Sequence, residues 1–471
     1  MAVTLVAFEA LAVATILPVV SRRLGDLSLY GWVFSAFLLS SLVGIVVAGT
    51  LADRRSVTLP MLAGLAFFAS GLIIGGTASS MPVLVAGRAV QGIGAGVVPA
   101  TAYVAISRGY PPHVRPQMFA VLSSAWVVPG LVGPAIAAAV ASAVGWRWVF
   151  LGLVPLVVVA GLIAAHSLRT LPPAAAVAAA ASSSSPTSSG SGSGSGSARD
   201  PVSEPAVAER DGDRAPVGWL PVAGIVVGAG VALAAVDSGR ILTVVVGVVA
   251  GAALLAVSLR RLTPEGTLRA RPGLPATVAG RGLLTFGFYA ADAYVPYALT
   301  TGRHAPTWLA GLALTAGTIL WTVGAWVQAR YVQRLGPRRL VRTGQVLLLI
   351  AVGGMGLVLL PAVPPALGVV AWSVAGMGMG IGYAPLSVAT LDRAPAGGEG
   401  RATSALQLTD VLGQAIGTGV SGGVVAAGVP ALGVRGGVGL AFAISVAVGV
   451  TALLVGVRLP DQLRSVPSPA S

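Results

Sequence analysis

Apolar stretches of about 20 residues recur along almost the whole chain, from Ala2 to the neighbourhood of Pro460, separated by short polar turns. Wound as helices, such stretches match the roughly 30 Å of hydrocarbon in a bilayer. Only 9% of the 471 residues are charged, 55% are hydrophobic and the mean hydropathy is +0.88, whereas soluble domains carry roughly 25% charged residues. The chain therefore reads as an all-α integral membrane protein. Its 64 glycines and 32 prolines lie mostly inside apolar segments, where close helix contacts and broken helices tolerate them.

Six spans are expected at 2–20, 31–52, 57–77, 81–107, 115–143 and 147–167. The first reads as a membrane helix, since it lacks the basic head and cleavage site of a signal peptide. An Ala/Ser/Pro stretch, a run of Ser and Gly from Ser188 to Ser197 and a mixed-charge segment then form a water-exposed linker. A hairpin of two spans, 217–236 and 241–259, turns at Asp237–Arg240, and six further spans follow at 275–301, 307–332, 339–361, 364–391, 401–428 and 434–457. The expected organisation is two six-helix bundles, 1–168 and 261–458, with a linker at 169–216, an extra hairpin at 217–260 and a tail at 459–471. That makes 14 transmembrane helices.

The net charge of +14 comes from basic residues that are all Arg and stand singly or in pairs between the apolar runs. Most fall in alternate loops. The opposite loops hold only Arg22, Arg23, Arg147, Arg240, Arg303 and Arg435, so both termini are expected in the cytoplasm of a cell whose inner (plasma) membrane the chain crosses. The Arg-rich segments 260–271 and 330–342 suit contact with anionic membrane lipids rather than nucleic acid. Without cysteine there is no disulfide or thiolate chemistry, and three histidines leave little for a metal site. No phosphate-cradling Gly-Lys-Ser/Thr loop is possible in a chain that lacks Lys, so no ATP or other cofactor is expected. His113, His304 and His166 form no spacing with Ser and Asp that suggests an enzyme.

Chemistry is expected at intramembrane acids, because a charge at the bilayer centre costs at least about 2.5 kcal/mol. Glu9, Asp292 and Asp410 each fall on the order of 12–15 Å deep in their segments. Such a carboxyl can hold a proton while its cavity is dry and release it when water enters. The alternative is a fixed ion pair, for which Arg88 and Arg281 are the arginines inside helices. Thr285, Tyr289, Asp292 and Pro296 share one helical face, as do Gln407, Asp410 and Gln414. Three acids in an apolar cavity favour a cation, and Trp126 and Tyr289 are candidates to stack on it. Pro129, Gly133 and Pro134 permit a bend in the fifth span, while Gly92, Gly94, Gly96, Gly413 and Gly417 read as close helix contacts.

Three motifs carry a resemblance. They are Gly49-Thr50-Leu51-Ala52-Asp53-Arg54-Arg55, Arg88-Ala89-Val90-Gln91-Gly92-Ile93-Gly94-Ala95-Gly96 and Pro129-Gly130-Leu131-Val132-Gly133-Pro134. Together the chain resembles the major facilitator superfamily. With the helix count, Trp146–Phe150 and Glu9 ahead of Pro18, it is similar to the fourteen-helix drug:proton antiporter branch. The resemblance implies proton-coupled export of small molecules, with Asp53, Arg54, Arg88, Gln91, Pro129, Gly133 and Pro134 in coupling and gating, and Arg88 pairing alternately with a carboxylate and with carbonyls of the first helix. The partners it implies are a small-molecule substrate, protons and lipids, for a monomer. The chain departs from the pattern at Ser56, Val57 and Thr58, at Ala137-Ala138, and at Leu11 and Ala14. A turn similar to that after helix two returns at Gln333, Arg334, Gly336, Arg338 and Arg339, as repeated halves require. Export of a neutral metabolite, antibiotic or sugar remains the alternative within transporters, and a membrane enzyme or scaffold the remote one.

Overall fold

The computed structural model describes residues 1–54, 57–109, 127–168, 219–237, 241–395 and 399–462, with 118, 122 and 125 between. The linker expected at 169–216 lies outside the described residues. Among the described residues, thirteen α-helices of five residues or more carry the fold: α1 (Ala2–Leu24), α2 (Tyr30–Arg54), α3 (Thr58–Gly76), α4 (Met81–Gly109), α5 (Val127–Ala143), α6 (Arg147–Leu151), α7 (Val154–Leu168), α8 (Trp219–Asp237), α9 (Ile241–Leu262), α10 (Leu274–Asp292), α11 (Thr307–Val358), α12 (Leu367–Arg393) and α13 (Glu399–Val455). Among the described residues, nine helices are long and apolar enough to cross a membrane.

Two expected turns are single kinks, each joining two helices that are numbered here as one. α11 runs for 52 residues and α13 for 57, about twice the length a bilayer needs. Each is nevertheless broken by one glycine outside helical geometry, Gly336 (φ 74°, ψ 160°) and Gly433 (φ 69°, ψ 175°). Positive φ is open to glycine at little cost, so these two positions turn the chain without a loop.

Helices α1–α7 pack on one another, as do α10–α13. Small residues set the spacing. A Cβ on Gly92 would stand 2.1 Å from the Phe37 carbonyl oxygen, one on Gly94 2.3 Å from that of Gly64, and one on Gly96 2.0 Å from that of Ser41. Gly413 likewise lies against Gly282, and Gly417 against Phe286. These glycines are the close contacts that the sequence suggested, which let van der Waals packing replace the absent hydrophobic drive in lipid.

The two groups meet along two seams. At one, Ser35 of α2 donates to the Ala415 carbonyl of α13 at 2.8 Å. At the other, Gly130 and Pro134 of α5 lie against Thr318 and Gly311 of α11. The hairpin α8–α9 is antiparallel, pairing Gly228 with Gly251 and Gly224 with Ser258. It lies in the first seam, where Val222, Ile225, Ala229 and Leu233 pack with Leu39 and Leu42 of α2 and Leu412 and Ala415 of α13.

The last described residues tie down the far end of α10–α13. Arg338 pairs with Asp461 at 2.6 Å and donates to the Leu459 carbonyl at 2.7 Å, while Arg458 donates to the Arg269 carbonyl at 2.8 Å. Gly336 makes room for this segment, since a Cβ there would fall 1.7 Å from the Asp461 carbonyl oxygen.

Candidate functional site

α1 and α4 bring Glu9 and Arg88 together in the interior, where they are 0% and 1% exposed. Arg88 Nη1 donates to Glu9 Oε1 and, at 2.7 Å, to Gln91 Oε1 one turn along α4. Its Nε donates to the Val33 carbonyl at 3.1 Å, and its guanidinium lies 4.1 Å from the centre of the Phe37 ring. An arginine stays charged in any protein, so it must be surrounded by acceptors when buried. In this structure Arg88 meets the carboxylate of Glu9 on the first helix, while the carbonyl it uses belongs to α2, whose backbone Gly92 brings close. Among the described residues, Glu9 Oε2 and Gln91 Nε2 find no hydrogen-bond partner.

A second buried pair sits in the C-terminal helices. Arg281 Nε of α10 donates to Asp410 Oδ1 of α13 at 2.9 Å, and Tyr383 of α12 donates its hydroxyl to Oδ2 at 2.8 Å. Arg281 Nη1 also donates to the Tyr383 carbonyl at 2.6 Å, and Thr285 Oγ1 to the Asp410 carbonyl at 3.1 Å. Both carboxylate oxygens of Asp410 are therefore engaged. Of the two readings the sequence leaves open for the intramembrane acids, Glu9 and Asp410 each stand beside an arginine in this structure, where pairing offsets the several kcal/mol that a lone buried charge costs.

Asp292 differs. Among the described residues no basic side chain pairs with it, and its Oδ1 accepts from Trp372 Nε1 at 3.0 Å. It is the last residue of α10, where the continuous helix expected over 275–301 breaks. Pro296 is the cause: it has no N–H to give the Asp292 carbonyl, and the chain continues as a short turn, Val295–Tyr297, and a π-helical turn, Ala298–Gly302. Phe288 beside it stacks on Trp372 with ring centres 5.2 Å apart and meets Tyr289 and Trp321 edge-on at 5.1 and 5.5 Å. Trp321 in turn meets Tyr383 at 5.5 Å, so aromatic rings bridge Asp292 to the Asp410 pair. Tyr289, Trp321, Tyr383 and Asp292 are half-buried rather than sealed.

The other candidates are dispersed. Gln407 is exposed and Gln414 half-buried, one turn to either side of Asp410. Pro129, Gly133 and Pro134 are buried in α5, with Gly133 facing Phe8 of α1 and Pro134 facing Gly311 of α11, so this helix lines both its own group and the seam. Asp53 and Arg54 close α2. Trp126 lies outside the described residues, as do the side chains of Asp53 and Arg54. Trp372 and Tyr383 were not among the sequence candidates; they stand eleven residues apart on α12, three turns on one face, which is the signal that pairs them.

Two groups of membrane helices packed around buried and half-buried carboxylates are the arrangement of polytopic transporters. The profile of the Major Facilitator Superfamily matches residues 1–418, and the chain belongs to that superfamily. It is 36% identical over 141 residues to an uncharacterised MFS-type transporter of Mycobacterium tuberculosis, covering 30% of this chain and 24% of that protein. It is 28% identical over 163 residues to the multidrug transporter protein MdtP of Bacillus subtilis, covering 35% and 30%. A probable multidrug-efflux transporter of Mycobacterium tuberculosis is 33% identical over 136 residues, covering 29% of each chain. The alignments thus span less than a third of these relatives. In fold, the chain is similar to a bacterial homologue of the human lysosomal transporter Spinster in an inward-facing, unoccupied conformation, with a TM-score of 0.67, 14% identity and coverage of 99% and 97%. An auto-inhibited peptide transporter of the POT family gives 0.65, 15%, 99% and 98%. The chain is a multi-pass membrane transporter, not an enzyme.

Proposed function

We propose that this transporter exports amphipathic cations from the cytoplasm across the plasma membrane in exchange for protons, by alternating access between two six-helix bundles, 1–168 and 261–458. Reading α6 with α7 as one span, and α11 and α13 as two each, supports an organisation in fourteen spans like that of the drug:proton antiporter branch, for which both termini are cytoplasmic. One observation carries the reading: of three buried or half-buried acids, Asp292 alone has no arginine among the described residues and stands among aromatic rings. A carboxylate flanked by π faces attracts organic cations. Competition between a proton and a cation for that one group is sufficient to couple their movements. Glu9 keeps one oxygen uncommitted as a proton acceptor, with Arg88 and Gln91 holding the other side of the site. Asp53, Arg54, Pro129, Gly133 and Pro134 serve gating, and Tyr289, Gln407, Gln414 and Trp126 serve binding. Names of relatives as multidrug transporters support the cargo class.

The test is transport in proteoliposomes under an imposed pH gradient. Asp292→Asn should abolish gradient-driven cation movement while the protein remains folded; undiminished transport in both Asp292→Asn and Asp410→Asn overturns the proton role. Transport that lipophilic cations do not compete for would direct the reading to a neutral metabolite, antibiotic or sugar.

A further inference from the structure

The broken joint at the end of α10 touches more than the carboxylate. Tyr30, the first residue of α2 and 0% exposed, donates its hydroxyl to the carbonyl of Ala293 at 3.3 Å, across the seam between the two helix groups. Its ring lies 5.0 Å from that of Tyr294 and 5.4 Å from that of Tyr297, both in the joint. Tyr294 completes the closure: its hydroxyl reaches between Gly31 of α2 and Gly422 of α13, standing 3.2 and 2.8 Å from where their Cβ atoms would be. The same end of the molecule carries a further bridge, Arg22 of α1 to Thr301 at 3.2 Å.

The adjacency is what matters. Pro296 leaves the Asp292 carbonyl without its helical donor, and the helix ends there, so rotation of this joint moves the carboxylate and the acceptor of Tyr30 together. We infer that Tyr30 is a latch which couples occupancy of Asp292 to closure of the two halves at the end where α1 finishes. When Asp292 turns toward a cation or a proton, the Ala293 carbonyl turns with it and the tyrosine loses its acceptor; when Asp292 returns to Trp372, the latch re-forms. Tyr30 is a positioning residue in this scheme, acting through the backbone of the joint and not on the cargo. The inference rests on alternating access and on Asp292 as the exchanging group.

The chain has no cysteine, so spin labels can be placed cleanly. Val144 and Leu432 are 62% and 58% exposed at this end of the N-terminal and C-terminal helices respectively. Distances between labels at Val144→Cys and Leu432→Cys, measured without substrate or gradient, report the opening directly. Tyr30→Phe keeps the ring and removes only the hydroxyl; it should raise the long-distance population roughly two- to tenfold, the effect of one hydrogen bond. Asp292→Asn should shift the same population, and the double variant should show no more than the larger single effect, because both act on one joint. The thermal midpoint of Tyr30→Phe should stay close to that of the parent, since the ring and its packing are kept. Unchanged distances in Tyr30→Phe, or shifts that simply add in the double variant, overturn the latch. Since no proton flux is measured, the latch can fail while proton exchange stands, and the liposome test can fail while the distance shift stands.

Discussion

Arg281 and Asp410, 129 positions apart in the chain, meet at 2.9 Å in the interior with side chains 2% and 5% exposed, and Tyr383 occupies the second carboxylate oxygen. The pair is complete in itself. It holds α10, α12 and α13 together and removes one of the three negative charges on which a cation would otherwise draw.

Breaking that pair from one side strands the other charge. Asp410→Asn leaves Arg281 buried and unbalanced and should destabilise the protein by about 3–5 kcal/mol, whereas Arg281→Met with Asp410→Leu should recover most of it. Chemical unfolding of purified protein reads the difference, and equal losses in the single and double variants would refute it.

Trp372 fixes Asp292 by its indole N–H. Replacing it with Phe keeps the stack on Phe288 but frees the carboxylate from the indole that an organic cation must displace, so the half-saturation concentration for the cation should fall about tenfold or more, as loss of a competing hydrogen bond to a charged group implies. The maximal rate should change far less. Steady-state uptake curves separate the two.

The α2–α4 contact tolerates no added methyl group. Gly92→Ala and Gly96→Ala place Cβ atoms 2.0 Å from Ser40 Oγ and from the Ser41 carbonyl oxygen respectively, and each should cost about 1–3 kcal/mol. Gly133→Ala, whose nearest neighbour is Phe8 at 3.5 Å, should cost less. Thermal midpoints rank the three.

At the other end of the molecule, Gly336→Ala forces a Cβ onto the Asp461 carbonyl and an L-residue into positive φ. A loss of about 1–3 kcal/mol and faster tryptic cleavage after Arg458 are expected. Asp461→Asn removes a half-exposed ion pair and should cost under about 1 kcal/mol.

How much of this was legible follows from what each feature depends on. The spans were, because hydrocarbon admits few alternatives to apolar helices, and the glycines of α4 were, because no strand or lysine accompanied them. Pro296 sits one turn beyond Asp292 and marks the break, yet an apolar run on both sides reads as one helix. Gly336 and Gly433 were visible within turns, but not as the single positive-φ residues at which each kink is made. The partners of Asp410 were not legible: Arg281 and Tyr383 come from two other helices, and only packing decides which carboxylate an arginine meets. That Asp292 meets no arginine among the described residues is the same fact from the other side, since it too depends on packing.

The hairpin gives the molecule two unlike flanks. Along the α2–α13 flank, α8 and α9 stand between the acyl chains and either half; along the α5–α11 flank none of the described helices does so. A greasy molecule dissolved in a leaflet therefore meets unlike sides of the described helices, one of them screened by the hairpin.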